Sequence, residues 1–146
     1  MKNGYTLIEL AVVSSIIGIL STVAIPSMIT TIKSDRLVAT ANQLTSTFKF
    51  ARSEAVKRET DVQLVASSDE WLVQLDGETV MTFSSNYPSI TVKGLANMTV
   101  RASGETTSIN LSIEDGDAET VDRCFTVLVS GQSHLTKGGC INESTQ

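Results

Sequence analysis

Apolar residues follow three successive patterns along this chain. Residues Tyr5–Ile25 read YTLIELAVVSSIIGILSTVAI, with Glu9 as the single charge. A helix rises about 1.5 Å per residue, so this run spans roughly 30 Å, the thickness of a bilayer core. From Pro26 to about Arg58 the pattern becomes periodic. Leu37, Ala41, Leu44, Phe48, Ala51 and Ala55 are spaced 4, 3, 4, 3 and 4 apart, which marks one face of an amphipathic helix. Lys33, Arg36, Lys49, Arg52, Lys57 and Arg58 lie mostly off that stripe and read as a solvated face rather than a surface for nucleic acid or lipid headgroups. The two stretches predict one long helix over 5–58, with 5–25 transmembrane and the remainder covering a sheet.

Beyond Asp61 the period shortens towards two, and Val, Thr, Ile and aromatic residues become enriched. Strands are predicted at Val62–Ala66, Trp71–Leu75, Thr79–Phe83, Ile90–Val92, Met98–Arg101, Ser108–Ile113 and Cys124–Val129. Asp76-Gly77, between two of these runs, is a hairpin signal. Ser84–Ser89 and Glu114–Asp122 read as loops, and Gly131 and Gly138-Gly139 as turns. A long helix followed by a meander of strands indicates an α+β fold in which a small, mainly antiparallel β domain fills 59–146.

Charge narrows the function. The 146 residues carry a formal net charge of −5. In the last part of the chain Glu105, Glu114, Asp115, Asp117, Glu119, Asp122 and Glu143 face only Arg123 and Lys137. Such a surface repels phosphate backbones. The two cysteines, Cys124 and Cys140, form no C-x-x-C pair, and His134 is the only histidine, which argues against a zinc site. In an exported domain the two would form one disulfide; two separate buried thiols are the alternative, and the membrane segment favours the disulfide.

Glu9 decides among three readings of the N-terminus. A plain anchor explains the length of the apolar run but not a carboxylate in lipid, which costs roughly 2.5–3.5 kcal/mol on insertion scales. A cleaved secretory signal would use Thr22-Val23-Ala24, yet an acid inside its apolar region is atypical. The third reading accounts for every residue. Lys2 and Gly4-Tyr5-Thr6-Leu7-Ile8-Glu9, ahead of the long apolar run, resemble the cleavage motif of type IV prepilins and the related pseudopilins. The resemblance implies a leader of residues 1–4 that is cut after Gly4 by a prepilin peptidase. Tyr5 then becomes the N-methylated first residue, where family members usually carry Phe. It also implies a single pass through the bacterial inner membrane and a periplasmic domain, followed by entry into a pilus or pseudopilus. Glu9 would pair with the new amine of a neighbouring subunit and so set register, because a misplaced subunit leaves a charge unpaired in an apolar bundle. Gly18 and Pro26 match the family too, and the resemblance implies that the stretch they bracket can loosen in assembled filaments. Pro26 can also act simply as a kink at the membrane exit.

Phe48–Arg58, FKFARSEAVKR, resembles the end of the long helix in H-type pseudopilins and related minor pilins of the type IV pilus. The partners this implies are other pilins or pseudopilins, with no cofactor. Some minor pilins of the group bind DNA through a late Gly-Arg-x-Arg motif. Here the corresponding Gly131-Gln132-Ser133-His134 lacks both arginines, which with the acidic surroundings counts against DNA binding. No nucleophile elbow, P-loop or dinucleotide fingerprint is present, so the chain does not read as an enzyme. Asp115-Gly116-Asp117-Ala118-Glu119 lacks EF-hand spacing and reads as a solvated acidic loop rather than a calcium site. The expected role is that of a minor pilin that initiates or caps a filament. An H-type pseudopilin of a type II secretion system and a DNA-binding minor pilin for transformation are the alternatives.

Overall fold

The computed structural model describes residues 6–140, with the side chain of Val23 left out; Gly4 and Tyr5 lie outside the described residues. One helix, α1, runs without a break from Leu7 to Arg58. Its 52 residues extend about 78 Å. Thr6 caps the start: its hydroxyl accepts from the Glu9 amide, while the Glu9 carboxylate accepts from the Thr6 amide. Two of the free N–H groups that any helix start leaves are satisfied this way. At the other end Glu59 turns left-handed, its N–H bonding Ala55 C=O, and Lys57 and Arg58 sit against the negative end of the helix dipole.

Eight strands follow: β1 Val62–Ser67, β2 Glu70–Leu75, β3 Glu78–Ser84, β4 Thr91–Lys93, β5 Met98–Val100, β6 Ile109–Glu114, β7 Arg123–Val127 and β8 Ser133–Lys137. They form two antiparallel four-stranded sheets, in the orders β3-β2-β1-β5 and β4-β6-β7-β8. The predicted meander is therefore corrected. After β3 the chain leaves the first sheet to make β4 in the second, and returns as β5 beside β1 before β6 pairs with β4. Asp76-Gly77 forms the two-residue turn between β2 and β3, with φ of 50° and 83°, as expected where both turn residues need positive φ. A second two-residue turn, Ser68-Asp69 between β1 and β2, has positive φ at Ser68 (52°) but not at Asp69, and carries no comparable signal.

The helix stripe is the spine of the core. Leu37, Ala41, Leu44, Phe48, Ala51 and Ala55 are completely buried. Against them pack Val62, Leu64, Trp71, Val73, Phe83 and Val100 of the first sheet, and Leu111, Ile113, Phe125 and Val127 of the second. Phe48 meets Phe125 edge to face, with ring centroids 6.1 Å apart. Trp71 keeps its indole N–H satisfied on Ala96 C=O at 3.1 Å. The predicted alternation is visible in β1, where Val62 and Leu64 face inwards and Gln63 outwards.

Candidate assembly surface

Among the described residues, α1 makes no hydrogen bond or ion pair to the β domain ahead of Thr30. From Leu7 to Ile32 its described large apolar side chains are exposed, Leu7 by 86%. Soluble proteins bury such surface, and this is the one helix among the described residues long and apolar enough to cross a membrane. Its polar side chains are reconciled with lipid locally. Ser14, Ser15 and Ser21 each donate to the carbonyl four residues back at 2.8 Å, and Thr22 donates to Ile19 C=O at 2.7 Å.

Glu9 is placed by the capping box, its carboxylate also accepting from the Thr6 hydroxyl at 3.0 Å. The Glu9 side chain is thus held at the very start of the helix. Gly18 has no atom within 4 Å of where a Cβ would stand, leaving a notch open on the helix surface. Pro26 sits inside the continuous helix, so Thr22 C=O receives no N–H bond from position 26. Gly18 and Pro26 therefore mark a stretch with weakened helical preference in a helix that is nonetheless intact here.

Where α1 leaves its apolar half, the acidic loop docks. Lys33 pairs with Asp117, and the Thr30 hydroxyl donates to Glu119 at 3.1 Å. Asp115 organises the loop from within, accepting from Thr120 Oγ1 at 2.6 Å and from the Asp117 amide at 3.0 Å. Lys93 reaches across from β4 to Glu114. The solvated acidic loop expected from sequence is corrected to one anchored on the helix, because Lys33 projects from the polar face at the level of Asp117. The Asp117 carboxyl is held below its ordinary value by the Lys33 hydrogen bond, and Glu114 is lowered by Lys93 and then Ser112. Asp122 is pushed up, chiefly by burial. Among the described residues no three His, Cys, Asp or Glu side chains are placed to hold a metal.

Cys124 on β7 and Cys140, beyond β8, are joined by a disulfide that closes a loop of sequence separation 16. His134 lies within β8, pairing across from Thr126. β7 ends at Val127 instead of Val129, and Leu128–Gly131 make the turn into β8.

Sequence reading missed the residue that ties this end together. Arg52, off the apolar stripe, donates from Nε to Gly104 C=O at 3.1 Å and from Nη2 to Ser130 C=O at 3.3 Å. It thereby joins the β5–β6 loop and the β7–β8 turn to one helix position. Gly131 makes this approach possible: a Cβ there would lie 1.9 Å from Gly104 O. The only available signal was Arg52 standing directly beside the buried Ala51 within ARSEA.

Comparisons with known proteins follow this geometry. The family model described as "Type II transport protein GspH" matches residues 40–133. The model described as "Prokaryotic N-terminal methylation motif" matches residues 1–25. Among curated proteins no sequence matches the chain. Among solved structures, the type IV minor pilin FimU of Pseudomonas aeruginosa superposes with a TM-score of 0.61 at 18% identity, covering 71% of this chain and 90% of that one. The minor pseudopilin EpsH from the type 2 secretion system of Vibrio cholerae gives a TM-score of 0.56 at 15% identity, covering 70% and 97%. These two likenesses establish a shared fold: one long N-terminal helix on antiparallel sheets. With the family model spanning most of the β domain and the methylation motif covering the apolar helix, the chain belongs to the GspH family, as a minor pilin or pseudopilin of the type IV pilus or type II secretion kind.

Proposed function

We propose that this chain is a minor pilin of a type IV pilus that helps initiate or cap filament assembly, in a structural rather than an enzymatic role. The observation that carries the reading is the unpartnered apolar half of α1, with Glu9 fixed at its tip, on a folded domain that needs none of that surface for its own core. Packing that half against other pilins, after release from the inner membrane, is the natural way to bury it. Cleavage after Gly4 by a prepilin peptidase and methylation of Tyr5 precede this step. The β domain then lies in the periplasm, where its disulfide is stable. FimU, a type IV minor pilin, shares the fold, which supports this assignment.

A second reading, the H-type pseudopilin of a type II secretion system, is favoured by the description of the matching family and by the fold shared with EpsH. Deleting the gene separates the two. The pilus reading expects loss of twitching motility and of transformation with exoprotein secretion intact. Loss of secretion with motility intact would replace it by the pseudopilin reading.

A further inference from the structure

The exposed apolar surface of α1 does not stop at Pro26. Met28, Ile29 and Ile32 are exposed as well. With about 3.6 residues per turn they share one side of the helix, while Ser27, Thr30, Thr31 and Ser34 lie on the other. Thr30 stands about 7.5 Å beyond Ile25 along the axis, which is the depth of the headgroup layer outside a hydrocarbon core. The loop Glu114–Asp122 meets α1 at this same level, through Thr30 and Lys33. Its tip exposes Glu119 and Val121. Between that tip and the hydroxyl side of the helix opens a cleft of about 520 Å³. Ser27, Thr31, Ser34 and Asp35 line it from α1, and Glu119 and Val121 from the loop.

We propose that this cleft sits among the lipid headgroups while the chain resides in the membrane, and that it takes the primary ammonium of phosphatidylethanolamine. This contact belongs to the stage before assembly and rests on the membrane residence that both readings above require. A loop tied to α1 at Thr30 cannot stand clear of a bilayer whose apolar contact with the helix runs to Ile32. The headgroup it meets must suit its charge. Lys33 is taken by Asp117, and Glu119 uses only Oε2, on the Thr30 hydroxyl. Among the described residues neither Glu119 nor Asp35 forms an ion pair. Contacts within the chain therefore fix the loop without neutralising these two carboxylates. At that depth anionic headgroups repel them, and leaving them without a partner is costly. An ethanolamine ammonium carries three N–H donors, enough for a carboxylate and neighbouring hydroxyl oxygens together. The Thr30 and Thr31 hydroxyls already donate elsewhere and present their lone pairs. A choline headgroup has the same charge and no N–H. Val121 adds apolar contact at the base of the headgroups, as interfacial side chains do.

The test uses the full-length chain in lipid nanodiscs. Val121→Cys carries a fluorophore at the loop tip and, in a separate variant, Ile16→Cys carries one in mid-helix, both at exposed positions. Cys124 and Cys140 are bonded to each other and leave only the introduced thiol to label. In discs of phosphatidylcholine and phosphatidylethanolamine, headgroup spin labels should quench the Val121 probe and acyl-chain spin labels the Ile16 probe. A quenched Ile16 probe beside an unquenched Val121 probe overturns this contact alone, whereas quenching of neither removes membrane residence as well. Lipid retained by the chain after mild detergent extraction, read by mass spectrometry, should be enriched in phosphatidylethanolamine over phosphatidylcholine by about two- to fivefold, the range of an exposed ion pair. Asp35→Asn with Glu119→Gln should abolish that preference and leave the Val121 probe quenched. Enrichment that survives the double substitution, or none in the wild-type chain, overturns the proposal. A preference for phosphatidylglycerol overturns it too: if EDTA removes that preference a bridging divalent cation occupies the cleft, and if not Lys33 is the lipid contact.

Discussion

Substituting Gly131 by Ala tests whether the two sheets are held together through the β7–β8 turn. Gly131 has φ of 72°, and an added Cβ would stand 1.9 Å from Gly104 O and 2.7 Å from Arg52 Nε. Three costs accumulate. An L-residue in the left-handed region costs about 1–2 kcal/mol. Forcing apart two backbones that are already in contact costs about 1–3 kcal/mol, as overpacking does. Displacing Gly104 then weakens its bond from the charged Arg52, worth about 1.5–3 kcal/mol. Partial relaxation trades one cost against another, so the expected loss is about 3–6 kcal/mol. For a domain of this size each kcal/mol lowers Tm by about 4–8 °C, which puts the drop at about 12 °C or more. Gly116 is the matched control. Its φ is 71°, but nothing lies within 4 Å of an added Cβ, so Ala there should cost only the backbone part. Thermal unfolding of the full-length chain in detergent can be followed through Trp71, the only tryptophan and fully buried. Equal shifts for Gly131→Ala and Gly116→Ala would refute the clamp.

Four further outcomes are expected. Mass determination from native membranes should find the chain without Met1–Gly4 and with one added methyl group, and Gly4→Val should abolish both changes; a cut near Ala24 would instead indicate an ordinary secreted protein. Reducing Cys124–Cys140, or replacing both by Ser, should cost about 3 kcal/mol from loop closure in the unfolded chain, read as a lower unfolding midpoint in urea. The Lys33–Asp117 pair holds the Asp117 carboxyl below its ordinary 3.8 and the Lys33 ammonium above its ordinary 10.5. Its contribution is therefore complete between those values and disappears as pH falls through the lowered carboxyl pKa or rises through the raised ammonium one. The stability difference between wild type and Lys33→Ala should thus be present at neutral pH and vanish in strong acid; a difference that persists there would show that Lys33 acts through packing. Asp122 behaves in the opposite sense: burial raises its pKa, so its ionisation disfavours the fold as pH rises, and Asp122→Asn should raise Tm at neutral pH while leaving it unchanged in acid.

What the residues reveal in advance depends on whether a local rule determines the outcome. The stripe from Leu37 to Ala55 is legible because a six-member period over five turns leaves a helix one way to bury it. The Asp76-Gly77 turn is legible for a similar reason, since few residues tolerate two consecutive positive φ values. β8 is not. Within Ser133–Lys137 only Leu135 is apolar, so no alternation marks it; the strand is held from outside, by β7 and by the nearby disulfide. The sheet order also escapes local reading. β4 and β5 have three residues each, and which neighbour each finds is decided by long-range packing on α1 rather than by their own sequence. At the candidate assembly surface, Glu9 and the apolar run announce themselves through a charge where lipid forbids one. Arg52 does not, because a surface arginine and an arginine spanning two loops look alike until the loops are in place.

The placement of these polar contacts along α1 bears on how force would pass through the molecule. Each sheet packs on the same helix stripe, and the strands of one sheet pair with none of the other. The helix is thus the common support of both, fastened at two levels: Thr30 and Lys33 hold the acidic loop of the second sheet, and Arg52 holds the β5–β6 crossover between the sheets and the β7–β8 turn at the far end. Between those levels the stripe from Leu37 to Ala51 is completely buried and leaves no room for sliding. Below Thr30 no such fastening is found among the described residues, and it is there that Gly18 and Pro26 weaken the helix. Pulling on an assembled subunit should therefore extend the helix between Gly18 and Pro26 before it disturbs the domain. Replacing Gly18 and Pro26 by Ala would restore helical preference by about 1 and about 3 kcal/mol respectively. Under load, the doubly substituted chain should keep its full helix content while wild type loses some of it. If instead both extend equally, resistance lies in the packing of neighbouring helices and not in these two residues.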